Sequence, residues 1–231
     1  MTRPRSGKSQ ATEGTGRGTT AGPGPRKQIA AKKPGRMLRV IGVDPGSAST
    51  GYGVVDSDGR HHRLVEYAAI RAPASCSFAE RLFVISEKLE EVVERLKPDA
   101  CAVEETFYAV NVKSALKLGH VRGVALVAAA RAGVPVFEYS PLEVKLALVG
   151  YGRAEKHQVQ EMVRLILSLR EPPKPLDASD ALGVAICHIN TYYTGVRGQW
   201  SGGGSQEQRS VVSRGPGVGR LVVGFPVDNS K

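Results

Sequence analysis

Four acidic residues have surroundings in which a charged side chain is uncommon. Asp44 and Glu104 each end a short apolar run. Asp177 and Asp180 are three residues apart at a predicted helix start, a spacing that puts both side chains on one helix face. Carboxylates are the hard oxygen ligands that Mg²⁺ prefers. Four together indicate phosphodiester hydrolysis with two Mg²⁺ ions per site, and we expect Mn²⁺ to substitute.

A purely structural interpretation of the same acids stays open at this point. An acid at a strand end is commonly a turn residue, and acids at a helix start are commonly caps. Three small neighbours favour the functional interpretation. Gly42 leaves space on the strand face that carries Asp44, and Ala178 and Ser179 leave the approach to the helix pair open.

The elements that must position these acids follow from hydrophobic periodicity and turn signals. The predicted strands are Leu38–Asp44, Tyr52–Asp56, Leu64–Ile70, Ala100–Glu104 and Val134–Tyr139. The predicted helices are Ser77–Leu96, Asn111–Ala132, Pro141–Val149, Glu155–Leu169 and Ala178–Tyr192. Three short-linked strands come first, and the last two strands alternate with helices. This order predicts an α/β protein with a five-stranded mixed sheet flanked by helices, and it resembles the ribonuclease-H-like fold.

The charge distribution divides the chain into three parts. Its net charge is +10, but residues 1–38 contain nine Lys/Arg and one acid, whereas residues 39–194 contain 18 basic and 19 acidic residues. We therefore expect a disordered basic N-terminal extension over 1–36, one folded domain over 37–194, and a disordered Gly/Ser-rich tail over 195–231. The high total charge describes the tails, so it is no argument that the domain binds nucleic acid.

Composition also excludes several classes of protein. No run of about 18 apolar residues exists, so no membrane span is expected. The three cysteines form no C-x-x-C pair, which excludes a zinc ribbon and a disulfide framework. Each cysteine stands in an apolar stretch and is expected to be a small buried residue. These features predict a cytoplasmic protein.

Eight segments of the sequence resemble the RuvC family of Holliday junction resolvases, over about residues 37–193. They are Ile41–Ser47, Thr50–Gly53, Ala102–Phe107, Ser114–Gly119, Arg122–Ala125, Pro135–Tyr139, Glu155–Lys156 and Asp177–Leu182. The resemblance implies a homodimeric crossover junction endodeoxyribonuclease. Such an enzyme binds four-way DNA junctions and makes symmetric metal-dependent nicks with 5′-phosphate and 3′-hydroxyl ends. The RuvA–RuvB branch-migration complex is the implied protein partner.

The resemblance also assigns roles to individual residues. Asp44, Glu104, Asp177 and Asp180 fall on the family's four metal-binding acids. Some members have histidine where this chain has Asp177. Phe107 matches an aromatic residue that stacks on a splayed base at the junction, and Lys145 and Lys156 match basic residues that face the DNA near the site.

Further DNA contacts are predicted from position alone. Phe107 follows the Glu104 strand on a loop, where an exposed aromatic ring could stack on an unpaired base; burial in the core is the alternative. Lys113, Lys117 and Arg122 lie along the polar start of the long helix and could meet phosphates; a solvated helix face is the alternative. The end of this helix, Val124–Ala130, has more apolar circumference than one face needs, which favours burial in the core together with a dimer interface.

Three rival functions remain. A ribonuclease-H-type nuclease would cut RNA–DNA hybrids with the same four acids. An actin-like or sugar-kinase-like ATPase would use the strand–turn–strand Ile41–Asp56 to hold phosphates, although about 157 folded residues are too few for its two lobes. A non-catalytic DNA-binding relative would keep the fold without the metal chemistry, but all four acids are present.

Overall fold

All five predicted strands form in the computed structural model, which describes residues 37–105, 111–200 and 220–222. The strands are β1 (Leu38–Asp44), β2 (Thr50–Ser57), β3 (His62–Ile70), β4 (Ala100–Glu104), β5 (Val136–Tyr139) and β6 (Arg220–Val222). They form one mixed sheet in the order β3-β2-β1-β4-β5-β6. Two of the predicted strands, β1 and β4, begin and end at the predicted residues. The fold prediction is therefore confirmed.

The central strand β1 sets the position of the two strand-end acids. It pairs antiparallel with β2, in a register that places Asp44 opposite Gly51. It pairs parallel with β4, and Val43 lies opposite Val103. Parallel strands end at the same edge of a sheet. Asp44 and Glu104 therefore meet at the carboxyl ends of these two neighbouring strands.

Five helices cover the two faces of the sheet. They are α1 (Phe78–Leu96), α2 (Val112–Arg131), α3 (Pro141–Val149), α4 (Lys156–Ile166) and α5 (Leu176–Trp200). Helices α1 and α3 begin with capping boxes, in which Ser77 pairs with Glu80 and Ser140 pairs with Glu143. In the parts of the chain that the structure describes, no helix combines the length and apolarity that crossing a membrane requires.

Side chains that alternate along the strands supply two hydrophobic cores. Leu38 and Val40 pack in the core that α3, α4 and α5 cover, whereas Ile41 and Val43 pack in the core that α1 and α2 cover. Because side chains two residues apart share a face, Asp44 lies on the same side of the sheet as α5. The alternation of β1 therefore directs its terminal acid toward the helix that carries the other two acids.

The C-terminal part of the chain departs from the sequence expectation for 195–231. Helix α5 continues to Trp200, eight residues beyond the predicted end at Tyr192, because no proline interrupts it before Pro216. Residues Arg220–Val222 form the sixth strand, antiparallel to β5. Without this strand, one side of β5 would leave its backbone N–H and C=O groups unpaired, and the apolar sequence Leu221–Val222 suits the pairing. The predicted extension 1–36 and the remainder of the tail lie outside the described residues.

Candidate active site

The four predicted acids come together at the carboxyl edge of the sheet. Glu104 ends the strand next to the one that Asp44 ends. Asp177 and Asp180 lie in the first turns of α5, and the backbone of Asp177 lies over Gly51, the residue opposite Asp44. The charges of Glu104, Asp180 and Asp177 all act on Asp44. One strand pair and one helix start therefore make a single cluster of carboxyl groups.

Three acids in this cluster have pKa values above their ordinary values. Burial, followed by the negative charge of Glu104, raises the pKa of Asp44 to about 8. Burial also raises the pKa of Glu104 above its ordinary value, although the hydrogen bond with Asp44 opposes the shift. Burial raises the pKa of Asp180 as well, against the opposing charge of Lys156. A cation at this edge would relieve the repulsion and favour the ionised carboxylates.

Two glycines in the strands explain how α5 comes so close to the sheet. A Cβ atom at Gly42 would lie 2.0 Å from the carbonyl oxygen of Ala181, and one at Gly51 would lie 1.9 Å from that of Asp177. The expectation that Gly42 leaves open space beside Asp44 is wrong, because the backbone of α5 fills that space. Any side chain at either glycine would push α5, and its acids, away from Asp44.

The small residues between the two helix acids also have a different role from the one predicted. Ala178 and Ser179 are buried, with at most 1% of their surface exposed. They therefore pack α5 against the sheet and do not form an open approach to the site. The route to the carboxyl groups must instead pass the exposed Lys156 and the loops at the carboxyl edge.

One lysine is in contact with the cluster and a second lies near it. Lys156, in the first turn of α4, places Nζ 3.3 Å from Oδ2 of Asp180, and 72% of its side chain is exposed. The charge of Asp180 raises the pKa of Lys156, which keeps it cationic. Lys145 on α3 is half-buried, and its charge lowers the pKa of Glu104 against the effect of burial. Both lysines lie where the sequence placed them, beside the acids.

The donor chemistry of the cluster fits hard divalent cations. Four carboxyl groups supply only oxygen donors, and burial, followed by repulsion from neighbouring acids, raises the pKa values of Asp44, Glu104 and Asp180. In the side-chain positions of the described residues, however, no three His, Cys, Asp or Glu groups converge closely enough to enclose an ion. Asp44 instead shares a hydrogen bond with Glu104, and Asp180 turns to Lys156. The residues thus match the ligand type of a metal centre, although their side chains are not arranged around a single point.

Comparison with known proteins identifies the family. The sequence model of the family "Crossover junction endodeoxyribonuclease RuvC" matches residues 40–188. The protein of that name from Ruminiclostridium cellulolyticum is 51% identical over 156 residues, which cover 68% of this chain and 94% of the relative.

This chain belongs to the RuvC family.

Solved structures agree with this assignment. Thermus thermophilus RuvC is 40% identical, with a TM-score of 0.64 over 68% of this chain and 97% of that chain. The same protein in complex with Holliday junction substrate gives a TM-score of 0.66, over 68% of this chain and 96% of that chain. The yeast mitochondrial Holliday junction resolvase Ydc2 is 14% identical with a TM-score of 0.51, which supports the fold alone.

The remaining predicted DNA contacts have different positions in this RuvC-family chain. Phe107 lies outside the described residues, so its stacking role stays a prediction. Lys113 and Lys117 are exposed on α2, and Nζ of Lys117 lies 5.6 Å from the centroid of the Phe78 ring. Both lysines therefore remain candidates for phosphate contact.

Arg122 differs from these lysines because it already has an anionic partner. Its Nη2 donates to Oε1 of Glu138 on β5, a carboxylate with only 4% of its side chain exposed. Removing a cation from a buried carboxylate is unfavourable. Arg122 therefore joins α2 to β5, and its contact with phosphate stays a prediction.

Sequence reasoning missed two kinds of functional position. The role of Gly42 was misinterpreted and the close approach of α5 at Gly51 was not foreseen, because the sequence does not show which backbone approaches a glycine. Ser49 and Arg71 were not considered, although they lie at the same edge of the sheet as Asp44. The only sequence signal was their place next to strand ends, since Ser49 precedes β2 and Arg71 follows β3.

Proposed function

We propose that this RuvC-family endonuclease acts as a homodimer that nicks two opposing strands of four-way DNA junctions with divalent metal ions. Asp44, Glu104, Asp177 and Asp180 are the proposed metal ligands. Mg²⁺ is the proposed ion, with two per site, and Mn²⁺ is the proposed substitute. Breaking the bond between phosphorus and the 3′-oxygen would leave 5′-phosphate and 3′-hydroxyl ends that can be religated.

One observation carries the proposal. The four acids form one cluster at the carboxyl edge of the sheet, in a chain that matches the crossover junction endodeoxyribonuclease family over residues 40–188. Burial raises the pKa values of Asp44, Glu104 and Asp180. Burial of a carboxyl group is unfavourable for folding, and groups with such shifts are concentrated at functional sites. The complex of the T. thermophilus relative with Holliday junction substrate supports the choice of DNA.

The chain's own residues have distinct tasks in this chemistry. When bound, the two ions supply Lewis acidity and lower the pKa of the attacking water. The four carboxylates would hold the ions, and the half-buried positions of Asp44 and Glu104 limit the water around them. Lys156 and Lys145 offset the negative charge that accumulates as a phosphate approaches the acids. The helix positions of these lysines beside the acids let them contact DNA before and during hydrolysis.

A stripe along α2 supports the homodimer. Val112, Leu116 and Val127 are 76%, 60% and 51% exposed, and a Cβ atom at Gly119 or Gly123 would find no atom within 4 Å. The spacings of 4, 3, 4 and 4 residues put all five positions on one helix face. An apolar face with small residues suits close approach of a second copy. Two-fold symmetry of the dimer would then match the two-fold symmetry of an open junction.

A substrate panel tests the proposed function. The purified protein is incubated with labelled four-way junctions, linear duplexes and RNA–DNA hybrids, with Mg²⁺, with Mn²⁺ and with EDTA. We expect paired nicks at symmetry-related positions of the junction only, and none in EDTA. Preferred cleavage of the hybrid would instead support the ribonuclease-H-type alternative, and cleavage in EDTA would contradict the metal-dependent mechanism.

Phe107 is proposed to open the crossover by stacking on a splayed base. Stacking on an aromatic ring contributes about 1–3 kcal/mol per base, which offsets an unpairing free energy of a few kcal/mol. Phe107→Ala should therefore lose much of its cleavage of fully paired junctions and recover on junctions that are already unpaired at the crossover. Single-turnover rates on the two substrates measure the difference. Equal losses on both would assign Phe107 to core packing.

Three further assignments complete the proposal. The RuvA–RuvB branch-migration complex is the proposed protein partner, and a cytoplasmic location is the proposed compartment. Residues 37–194 form the proposed nuclease domain, and the basic residues within 1–36, which lie outside the described residues, are proposed to add non-specific DNA affinity. We retain a Gly/Ser-rich linker within 195–231, now bounded by the end of α5 and by β6.

A further inference from the structure

The carboxyl edge of the sheet carries basic residues on both sides of the acids. Lys145 and Lys156 approach from α3 and α4, the helices that follow β5 along the chain. On the opposite side of β1, Arg71 follows β3 directly, and its neighbour Ile70 pairs with Thr50 at the start of β2. In the sheet order β3-β2-β1-β4-β5, Arg71 lies on the β3 side of Asp44, whereas the charges of Lys145 and Lys156 act on Glu104 at the end of β4, on the other side of β1.

The bonding of Arg71 differs from that of most other arginines. Six arginines of the described residues form ion pairs with carboxylates, namely Arg39, Arg63, Arg95, Arg122, Arg131 and Arg164. Arg71 is exposed, and its Nε donates to Oγ of Ser49 at 3.3 Å. Within the described residues it has no carboxylate partner. Its positive charge is therefore available to an outside anion.

The contact with Ser49 holds the guanidinium and leaves its strongest donors unused. Nε is occupied, but both Nη groups remain free to make the paired hydrogen bonds that guanidinium forms with phosphate. Ser49 accepts this hydrogen bond through Oγ, so its own hydroxyl proton is available to donate. Ser49 lies on the β1–β2 loop, five residues beyond Asp44. Two adjacent donors therefore face the edge that holds the acids.

We propose that Arg71 and Ser49 form a further DNA-binding site, which holds a backbone phosphate of the nicked strand on the β3 side of the acids. The strand would then cross the sheet edge from the lysines, over Asp44, to Arg71. This inference rests on the proposed function for the identity of the strand. Its role is positioning, because a strand held on both sides cannot slide past the carboxylates.

A charge-matched pair of variants provides the first test. Arg71→Ala is compared with Arg60→Ala, which removes an exposed arginine from the β2–β3 hairpin at the other end of the same strands. The two positions are separated by roughly 25 Å, the length of eight strand residues. Binding to a four-way junction is measured in EDTA over a series of salt concentrations. Melting temperatures of both variants confirm that they fold.

Arg71→Ala should weaken junction binding roughly five-fold at moderate salt. It should also reduce the slope of log K against log salt by about 0.9, the value for one phosphate contact. Arg60→Ala should leave both nearly unchanged. Arg71→Lys should recover part of the affinity, and Ser49→Ala should have a smaller effect than Arg71→Ala. Equal behaviour of Arg71→Ala and Arg60→Ala would overturn the inference.

A second test locates the phosphate. Single neutral methylphosphonates replace the phosphates next to the nick in turn. One replacement should weaken binding by the wild type but add nothing to the loss in Arg71→Ala, because both changes remove the same contact. Additive losses at every position would contradict a direct contact. If the wild type prefers duplex or hybrid DNA, the junction assignment fails separately, and the same two comparisons are made on the preferred substrate.

Discussion

Two carboxylates at opposite ends of the β1–β2 strand pair, Asp56 and Asp44, lie in opposite electrostatic environments. Near the start of β1, Arg39 donates from Nε and Nη2 to the two oxygens of Asp56, at 2.7 and 2.9 Å, and Arg63 adds a third bond at 2.8 Å. These hydrogen bonds hold the pKa of Asp56 below its ordinary value. At the end of β1, burial and the neighbouring acids raise the pKa of Asp44 to about 8.

The difference separates a carboxylate that stabilises the fold from one that is proposed to bind metal. Asp56 has 5% of its side chain exposed, yet two guanidinium groups satisfy it. The acids at the other end have one lysine in hydrogen-bond contact, so their charges remain largely uncompensated. Buried like charges are unfavourable for folding, and such sites persist where function requires them. Matched substitutions at the two ends can test this contrast.

The largest expected effect is on cleavage. Asp44→Asn should lower the single-turnover nicking rate by about 10³-fold, the scale for loss of a preorganised electrostatic contact, while junction binding in EDTA survives. Asp56→Asn should keep the rate within about three-fold at a temperature where it is folded, because its change is local to the other sheet end. Loss of binding together with cleavage in Asp44→Asn, with the fold intact, would show that Asp44 is structural.

The next largest effect is on stability, and here the substitution at Asp56 should be the damaging one. Asp56→Asn leaves Arg39 and Arg63 without their anion and should destabilise the protein by about 2 kcal/mol. This is less than for a fully buried pair, because the side chain of Arg63 is 67% exposed. Urea unfolding measures the change. If the free energy of unfolding falls by less than about 0.5 kcal/mol, the size typical of surface substitutions, the ion pairs of Asp56 with Arg39 and Arg63 do not stabilise the fold.

A smaller effect of opposite sign is expected at the active site. Without metal, Asp44→Asn removes a charge that its neighbours disfavour, so it should stabilise the protein by about 1 kcal/mol. The folded-state pKa of Asp44 lies above the ordinary 3.8, so its ionisation becomes destabilising as pH rises toward about 8. The gain should therefore be larger at pH 9 than at pH 5.

Metal addition supplies the control for this prediction. Millimolar Mg²⁺ should raise the melting temperature of the wild type and have less effect on Asp44→Asn, because ligands that bind only the folded state stabilise it. Calorimetry of both proteins, with and without the ion, measures this. Equal stabilisation of the two would contradict the assignment of Asp44 as a ligand.

The smallest effect concerns acid pH. The folded-state pKa of Asp56 is depressed, so its contribution to stability is complete above the ordinary value of 3.8 and is lost as pH falls below it. The stability difference between wild type and Asp56→Asn should be constant from pH 7 to pH 5 and shrink below about pH 4. A difference that does not change in that range would show that the contact with Arg39 is not ionic.

The sequence alone determined the strands, the acids and the family. The nearly continuous apolar runs of β1 and β4 indicate strands that are buried on both faces and end in an acid, and this signal is local. The three-residue spacing of Asp177 and Asp180 is equally local. The resemblance of Ile41–Ser47 and the other segments then fixed how these pieces are used.

Only the tertiary structure decided how closely the pieces approach and which charges are already satisfied. The role of Gly42 depends on the backbone of Ala181, 139 residues away in sequence. The buried carboxylate of Glu138 pairs with Arg122, whereas Arg71, an equally basic residue, bonds to the neutral hydroxyl of Ser49. Residue type gives the charge of a side chain. Its burial and its ion-pair partners depend on the distances between segments that are far apart in sequence, and only the folded chain determines these distances.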